Sequence, residues 1–175
     1  VRRAAVLAFL TAAIAGLYLT MIGGTPILVA GVLSLALGYL YSMGPLPLSM
    51  TPFGELLVVI FFGVIAVSGT AYLHTGGINA STIELGTILG LPAAAVLLIN
   101  NHRDRETDFR AGRRTLAILL GEGGTRLLYA VLLLSTVGGV AVWLSPLCQV
   151  GVIMILALGA LALAPYFPPG DAKLA

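Results

Sequence analysis

The sequence predicts an all-α fold: a polytopic transmembrane helix bundle of six spans in a single domain, residues 1–175. Three observations predict it. Mean hydropathy is +1.06. Only 9% of residues are charged and 59% are hydrophobic, where a soluble domain carries roughly 25% charged. The apolar residues fall in blocks of about twenty, the length that crosses a bilayer's hydrocarbon core.

The first two spans, about 4–22 and 25–43, are divided by Gly23-Gly24-Thr25-Pro26. Gly and Pro punctuate helices because one tolerates positive φ and the other lacks an N–H. Gly44-Pro45-Leu46-Pro47 then opens a connector over 44–54, before a third span at about 55–73. Gly76-Gly77 turns the chain into a fourth span at about 82–101. A long connector, 102–124, ends at Gly123-Gly124 and leads to a fifth span at about 125–144. Ser145-Pro146 separates that from a sixth, about 147–165. Gly86-x-x-x-Gly90 in the fourth span has the spacing that lets two helices approach closely, although the motif is common in apolar sequence.

Charge placement supports the count. With a cytoplasmic N-terminus, all nine basic residues (Arg2, Arg3, Arg103, Arg105, Arg110, Arg113, Arg114, Arg126, Lys173) fall on the inner side, as the positive-inside rule asks. Losing a middle span would split that set. The chain opens at Val1 without a Met, and its first apolar block is too long for a signal peptide. An internal piece of a longer protein is the expectation.

Several function classes drop out. A net charge of +2 is too small for nucleic-acid binding. The lone Cys148 allows neither a disulfide framework nor a zinc site, and reads as a packed membrane thiol. His74 and His102 lack a metal-ligand pattern; with Tyr72, Glu84 and Trp143 they read as boundary residues.

The chemistry concentrates elsewhere. Eight of the sixteen charged residues (nine basic plus seven acidic) lie between Arg103 and Arg114, in the segment 100–115, NNHRDRETDFRAGRRT. Asn100, Asp104 and Asp108 are spaced by four, which on a continuous helix makes one polar stripe. Two carboxylates and an amide oxygen suit Mg²⁺, which keeps waters and shares substrate phosphates. The interleaved Arg103, Arg105, Arg110, Arg113 and Arg114 offer planar forks to phosphate. A solvated loop with internally paired charges fits the spacing equally well, since D-x-x-x-D is frequent by chance. Tyr41 and Glu55 stand on the same inner side, each readable as a site residue or as a boundary residue.

A resemblance weighs on that choice. Asn100-Asn101-x-Arg103-Asp104-x-x-x-Asp108 with Gly112-Arg113-Arg114-Thr115-Leu116-Ala117 resembles the second aspartate-rich motif of the UbiA superfamily of intramembrane prenyltransferases. The paired Asn and the R-T-L-A run are most similar to the 1,4-dihydroxy-2-naphthoate (MenA-type) branch. Tyr41-Ser42-Met43-Gly44-Pro45-Leu46-Pro47, Gly54-Glu55 and Phe61-Phe62-Gly63 agree with it.

The resemblance implies a nine-helix bundle, of which these would be the third to eighth helices. It implies Mg²⁺ held by Asn100, Asp104 and Asp108, with Asp104 and Asp108 catalytic. It also implies polyprenyl diphosphate and an aromatic acid as substrates, bound by Arg103, Arg113, Arg114, Tyr41 and Asn101. The polar site would open to the cytoplasmic face of a bacterial-type plasma membrane. The family's first motif, N-x-x-x-D-x-x-x-D, is absent here, so this chain alone is expected to hold half the metal site and to be inactive. Another aromatic acceptor, such as 4-hydroxybenzoate or homogentisate, is the nearest alternative. A secondary transporter, with Asp104 and Asp108 on a coupling cation, or a noncatalytic membrane scaffold lies further away.

Overall fold

The computed structural model describes residues 2–43 and 47–143, with isolated helical positions at 150, 151, 154 and 157–159. The expected sixth span, Cys148, Ser145-Pro146, Lys173 and most of the Gly44-Pro45-Leu46-Pro47 turn lie outside the described residues. Among the described residues there are helices and no strand, and four stretches are long and apolar enough to cross a membrane.

Helix α1 (Arg2–Met43) contains two of the expected spans. Its break is a single residue: Gly24, at φ 66 and ψ −154, reverses the chain where a side chain would be strained. The arms return alongside each other, since a β-carbon on Gly38 would sit 3.8 Å from the Phe9 ring.

A 3₁₀ turn (Leu48–Met50) leads into the next rod, Gly54–Thr75. This rod is three pieces: α2 (Gly54–Val58), a π-helical stretch over Val59–Ile65, and α3 (Ala66–Thr75). Gly76 ends it in the left-handed region, φ 75. Asn79 then caps α4 (Ala80–Arg103), its side chain accepting from the Thr82 N–H at 2.9 Å. Short α5 (Arg105–Arg110) and α6 (Leu116–Trp143) follow.

Two expectations are corrected here. The 102–124 connector is largely helical. The break before the fifth span is Gly121 (φ 65, ψ −171), with Gly123 and Gly124 inside the helix. Thr125, fully buried, donates its hydroxyl back to the Gly121 carbonyl at 2.6 Å. The Asn100–Asp104–Asp108 stripe is also interrupted. Asp104 sits at φ −91, ψ 6, outside helical geometry, so α4 ends before it and α5 starts after it.

The core lies where α4 meets the π-helical stretch and α6. Gly86-x-x-x-Gly90 does mark a close helix approach. A β-carbon on Gly90 would lie 2.9 Å from the Val59 Cα, and one on Gly86 would lie 2.9 Å from the Val64 Cα. Gly63 faces both glycines from the opposite helix. Backbone therefore packs on backbone, the arrangement small residues permit inside membranes. On the other side of α4, Ile88 fits against Gly139 of α6. Ala94, Ala95, Leu98 and Ala117 complete the buried apolar set.

Candidate functional site

The two long connectors meet at one end of the bundle, where the Arg114 N–H donates to the Met50 carbonyl at 2.7 Å. That bond ties the charged segment to the turn preceding α2. It gathers the ends of α1, α2 and α4 around a single polar region.

A glycine turn builds the charged part. After α5, Gly112 adopts φ 77. Its N–H then donates to the Phe109 carbonyl at 3.1 Å, and the Arg113 N–H donates to the Asp108 carbonyl at 2.9 Å. This pairing is a Schellman turn, which needs a left-handed residue at Gly112. Its effect is to fold Arg113 back over the helix it has just left. The Arg113 guanidinium reaches Asp108 at 3.3 Å, and Asp108 is only 8% exposed.

Asp104 differs from Asp108. Its carboxylate, nearly half exposed, takes two hydrogen bonds from Arg103, at 2.8 and 3.0 Å. Those bonds, with the Arg103 charge and the more distant Arg113, hold the Asp104 carboxyl below the ordinary range. A depressed carboxyl keeps its charge as pH falls, losing it only below the usual carboxylate titration. Asp104 therefore remains an anion throughout the neutral range.

Tyr41 stands at the same end of the bundle. It closes the end of α1, and a β-carbon on Gly54 would lie 3.7 Å from its oxygen. Glu55 in turn accepts a hydrogen bond from Asn101 Nδ2 at 2.9 Å. Arg113–Asp108, Arg103–Asp104 and Asn101–Glu55 thus stand as three polar pairs at the end of the bundle that Tyr41 closes.

The remaining sequence-predicted residues lie at its rim. The Asn100 side chain is exposed, and Arg114 contributes its backbone to the connector bond while its side chain is exposed. Glu55 is where the sequence was ambiguous. It is 5% exposed and bonded to Asn101, so it packs inside this end of the bundle and not at an exposed boundary. The Gly54-Glu55 pair within the motif block was the available signal.

Beside Tyr41 runs an apolar cavity of about 510 Å³. The returning arm of α1 supplies Leu37 and Gly38, and the facing rod supplies Leu57, Phe61 and Phe62. Tyr41 therefore links this polar end of the bundle to a greasy groove. Among the described residues, no three His, Cys, Asp or Glu side chains gather to hold a metal ion. Among the described residues, what this end offers a metal is oxygen only, the Asp104 and Asp108 carboxylates and the Asn100 amide oxygen. That donor set suits Mg²⁺ completed by waters and phosphate, and does not suit a softer ion.

The chain matches the UbiA prenyltransferase family over residues 1–168. It is 37% identical over 145 residues to the 1,4-dihydroxy-2-naphthoate octaprenyltransferase of Mycobacterium tuberculosis, covering 81% of this chain and 49% of that protein. The enzyme of the same name from Bacillus subtilis is 38% identical over 115 residues, 66% of this chain and 37% of its own length. Human UbiA prenyltransferase domain-containing protein 1 is 35% identical over 95 residues, 54% of this chain and 28% of its own. The chain thus spans about half the length, or less, of these relatives. No solved structure matches it. With four membrane-length apolar helices and a match along nearly its whole length, the chain is an integral membrane protein and belongs to the UbiA prenyltransferase family.

Proposed function

We propose that the full-length protein is a membrane prenyltransferase that moves a polyprenyl group from its diphosphate to 1,4-dihydroxy-2-naphthoate, a step of menaquinone biosynthesis. One observation carries the reading. Asp104, Asp108 and Arg113, in the charged segment tied to the turn before α2, stand at the same end of the bundle as Tyr41, which lines the apolar groove. Relatives that match most of this chain bear the name of that activity.

In the proposed reaction the allylic C–O bond breaks and its electron pair leaves with diphosphate. A ring carbon of the acceptor forms the new C–C bond. That carbon is the one bearing the carboxylate, so CO₂ departs from it and the bonding pair returns to the ring. Mg²⁺, when bound, neutralises the departing diphosphate.

The residues of this chain prepare for that charge. Without substrate, Arg103 covers Asp104 and Arg113 covers Asp108. The two acids and the Asn100 amide oxygen would hold the metal, and Arg103, Arg113 and Arg114 would bind phosphate oxygens. That arrangement leaves no buried charge unpaired, which keeps its cost low. The prenyl tail lies along the groove beside Tyr41, and the polar region opens to the cytoplasm.

A secondary transporter accounts less well for the arrangement. Its coupling carboxylates face a midplane cavity, whereas these acids stand at helix ends among arginines.

The test uses membranes carrying the full-length protein, supplied with a polyprenyl diphosphate, Mg²⁺ and one aromatic acid at a time. The expected result is a prenylated naphthoquinol and CO₂ from 1,4-dihydroxy-2-naphthoate, with little product from 4-hydroxybenzoate. Efficient prenylation of 4-hydroxybenzoate or homogentisate instead would overturn the acceptor. Failure with every acceptor, together with cation flux in liposomes, would overturn the class.

A further inference from the structure

Glu55 and Asn101 are 46 residues apart and joined by a side-chain hydrogen bond of 2.9 Å. The chemistry of that bond fixes how Asn101 faces. Asn101 presents its NH₂ to the Glu55 Oε1, which accepts. Its amide oxygen is thereby turned the other way. That oxygen has no hydrogen-bond partner among the described residues, and Asn101 is only half-buried. The anchor is firm, because Glu55 is 5% exposed and sits one turn before Val58 in a rod packed on α4.

Without Glu55 the amide is free to turn either face to a ligand. With it, Asn101 can offer only an acceptor. A diphosphate oxygen, itself an acceptor, gains nothing from such a group. A hydroxyl donor does.

Resting on the prenyl-transfer reading, we infer that Glu55 is a positioning residue. It holds Asn101 with its Oδ1 turned to accept a hydrogen bond from a ring hydroxyl of the aromatic acceptor. Asn101 thereby serves the acceptor and not the diphosphate. The two substrates are then sorted by chemistry around Tyr41. The arginines and aspartates of the charged segment face the anionic substrate, and the Glu55–Asn101 pair faces the hydroxyl-bearing ring. Sites built to hydrogen-bond a substrate hydroxyl discriminate strongly against analogues lacking it, so this pair also sets specificity.

The experiment uses the full-length protein and reads each substrate separately. Glu55→Leu removes the acceptor that orients Asn101, and should raise KM for 1,4-dihydroxy-2-naphthoate about tenfold, the worth of one such hydrogen bond. KM for the polyprenyl diphosphate should stay within about twofold of the parent, a split that a general packing defect would not produce. Glu55→Gln keeps an oxygen for Asn101 Nδ2 and should restore most of the loss. Asn101→Ala should reproduce the acceptor-specific loss, and adding Glu55→Leu to it should cost little more, because both act through one contact. If Glu55→Leu does not fold, Asn101→Ala and Glu55→Gln carry the same test.

A second readout needs no turnover. Equilibrium binding of the naphthoate itself, followed by fluorescence, should weaken about tenfold in Glu55→Leu or Asn101→Ala. A parent protein that binds the naphthoate in this Asn101-dependent way but transfers no prenyl group would sink the proposed reaction and leave the pair standing. Naphthoate affinity unchanged in Asn101→Ala, or a KM effect confined to the diphosphate, overturns the inference.

Discussion

Asp108→Asn in the full-length protein should lower prenyl transfer on the order of 10²–10³-fold, and Asp104→Asn by a comparable factor. The two acids reach that result from different surroundings. Asp108 is buried and paired with Arg113, which the Gly112 turn folds over it. Asn preserves its shape and removes one anionic oxygen. Asp104 is a half-exposed carboxylate paired with Arg103, so amidation removes charge where a dication would be met. The loss should appear in kcat, with protein yield and heat stability close to the parent's. Near-normal turnover in both variants would return the charged segment to a solvated loop.

The second large effect is on folding. Gly90→Leu should lower the melting temperature of the detergent-solubilised protein by about 10 °C, if it folds at all. Extra methylenes in a close-packed site usually cost about 1–3 kcal/mol, and a few kcal/mol moves a chain of this size by several degrees or more. Here the cost stands at the high end, because the new side chain meets backbone. Its β-carbon alone would lie 2.9 Å from the Val59 Cα and carbonyl oxygen. Backbone cannot rotate aside as a side chain can. Gly69→Ala is the control, since nothing lies within 4 Å of a β-carbon there. An unchanged melting temperature for Gly90→Leu would mean that α4 and the π-helical stretch do not touch as described.

These two regions also mark how far the sequence could be read. Span existence was legible because hydrophobic length is set by the bilayer, and Gly24 and Gly76 turn the chain where glycine pairs predicted turns. The π-helical stretch at Val59–Ile65 was not legible. An all-round apolar segment has no polar face to betray a change of period, and the irregularity answers to Gly86 and Gly90 on another helix. The Gly121 bend was misplaced by a few residues, because three nearby glycines are equivalent in sequence. Only Thr125, donating back to the Gly121 carbonyl, distinguishes them.

The site divided in the same way. Motif residues pair at one end of the bundle, Arg113 with Asp108, Arg103 with Asp104 and Asn101 with Glu55. The geometry of these pairs was not legible. Spacing by four assumed a continuous helix, which the non-helical ψ of Asp104 interrupts. The partner of Asn101 lay 46 residues away, where no local pattern points.

The central claim is that this polar end takes a metal-bound diphosphate. Binding of a polyprenyl diphosphate to the full-length protein, measured by calorimetry with and without Mg²⁺, tests it most directly. Mg²⁺-dependent binding that is lost in the Asp104→Asn, Asp108→Asn double variant is the predicted result. Equal binding with or without Mg²⁺, in parent and double variant alike, would contradict it.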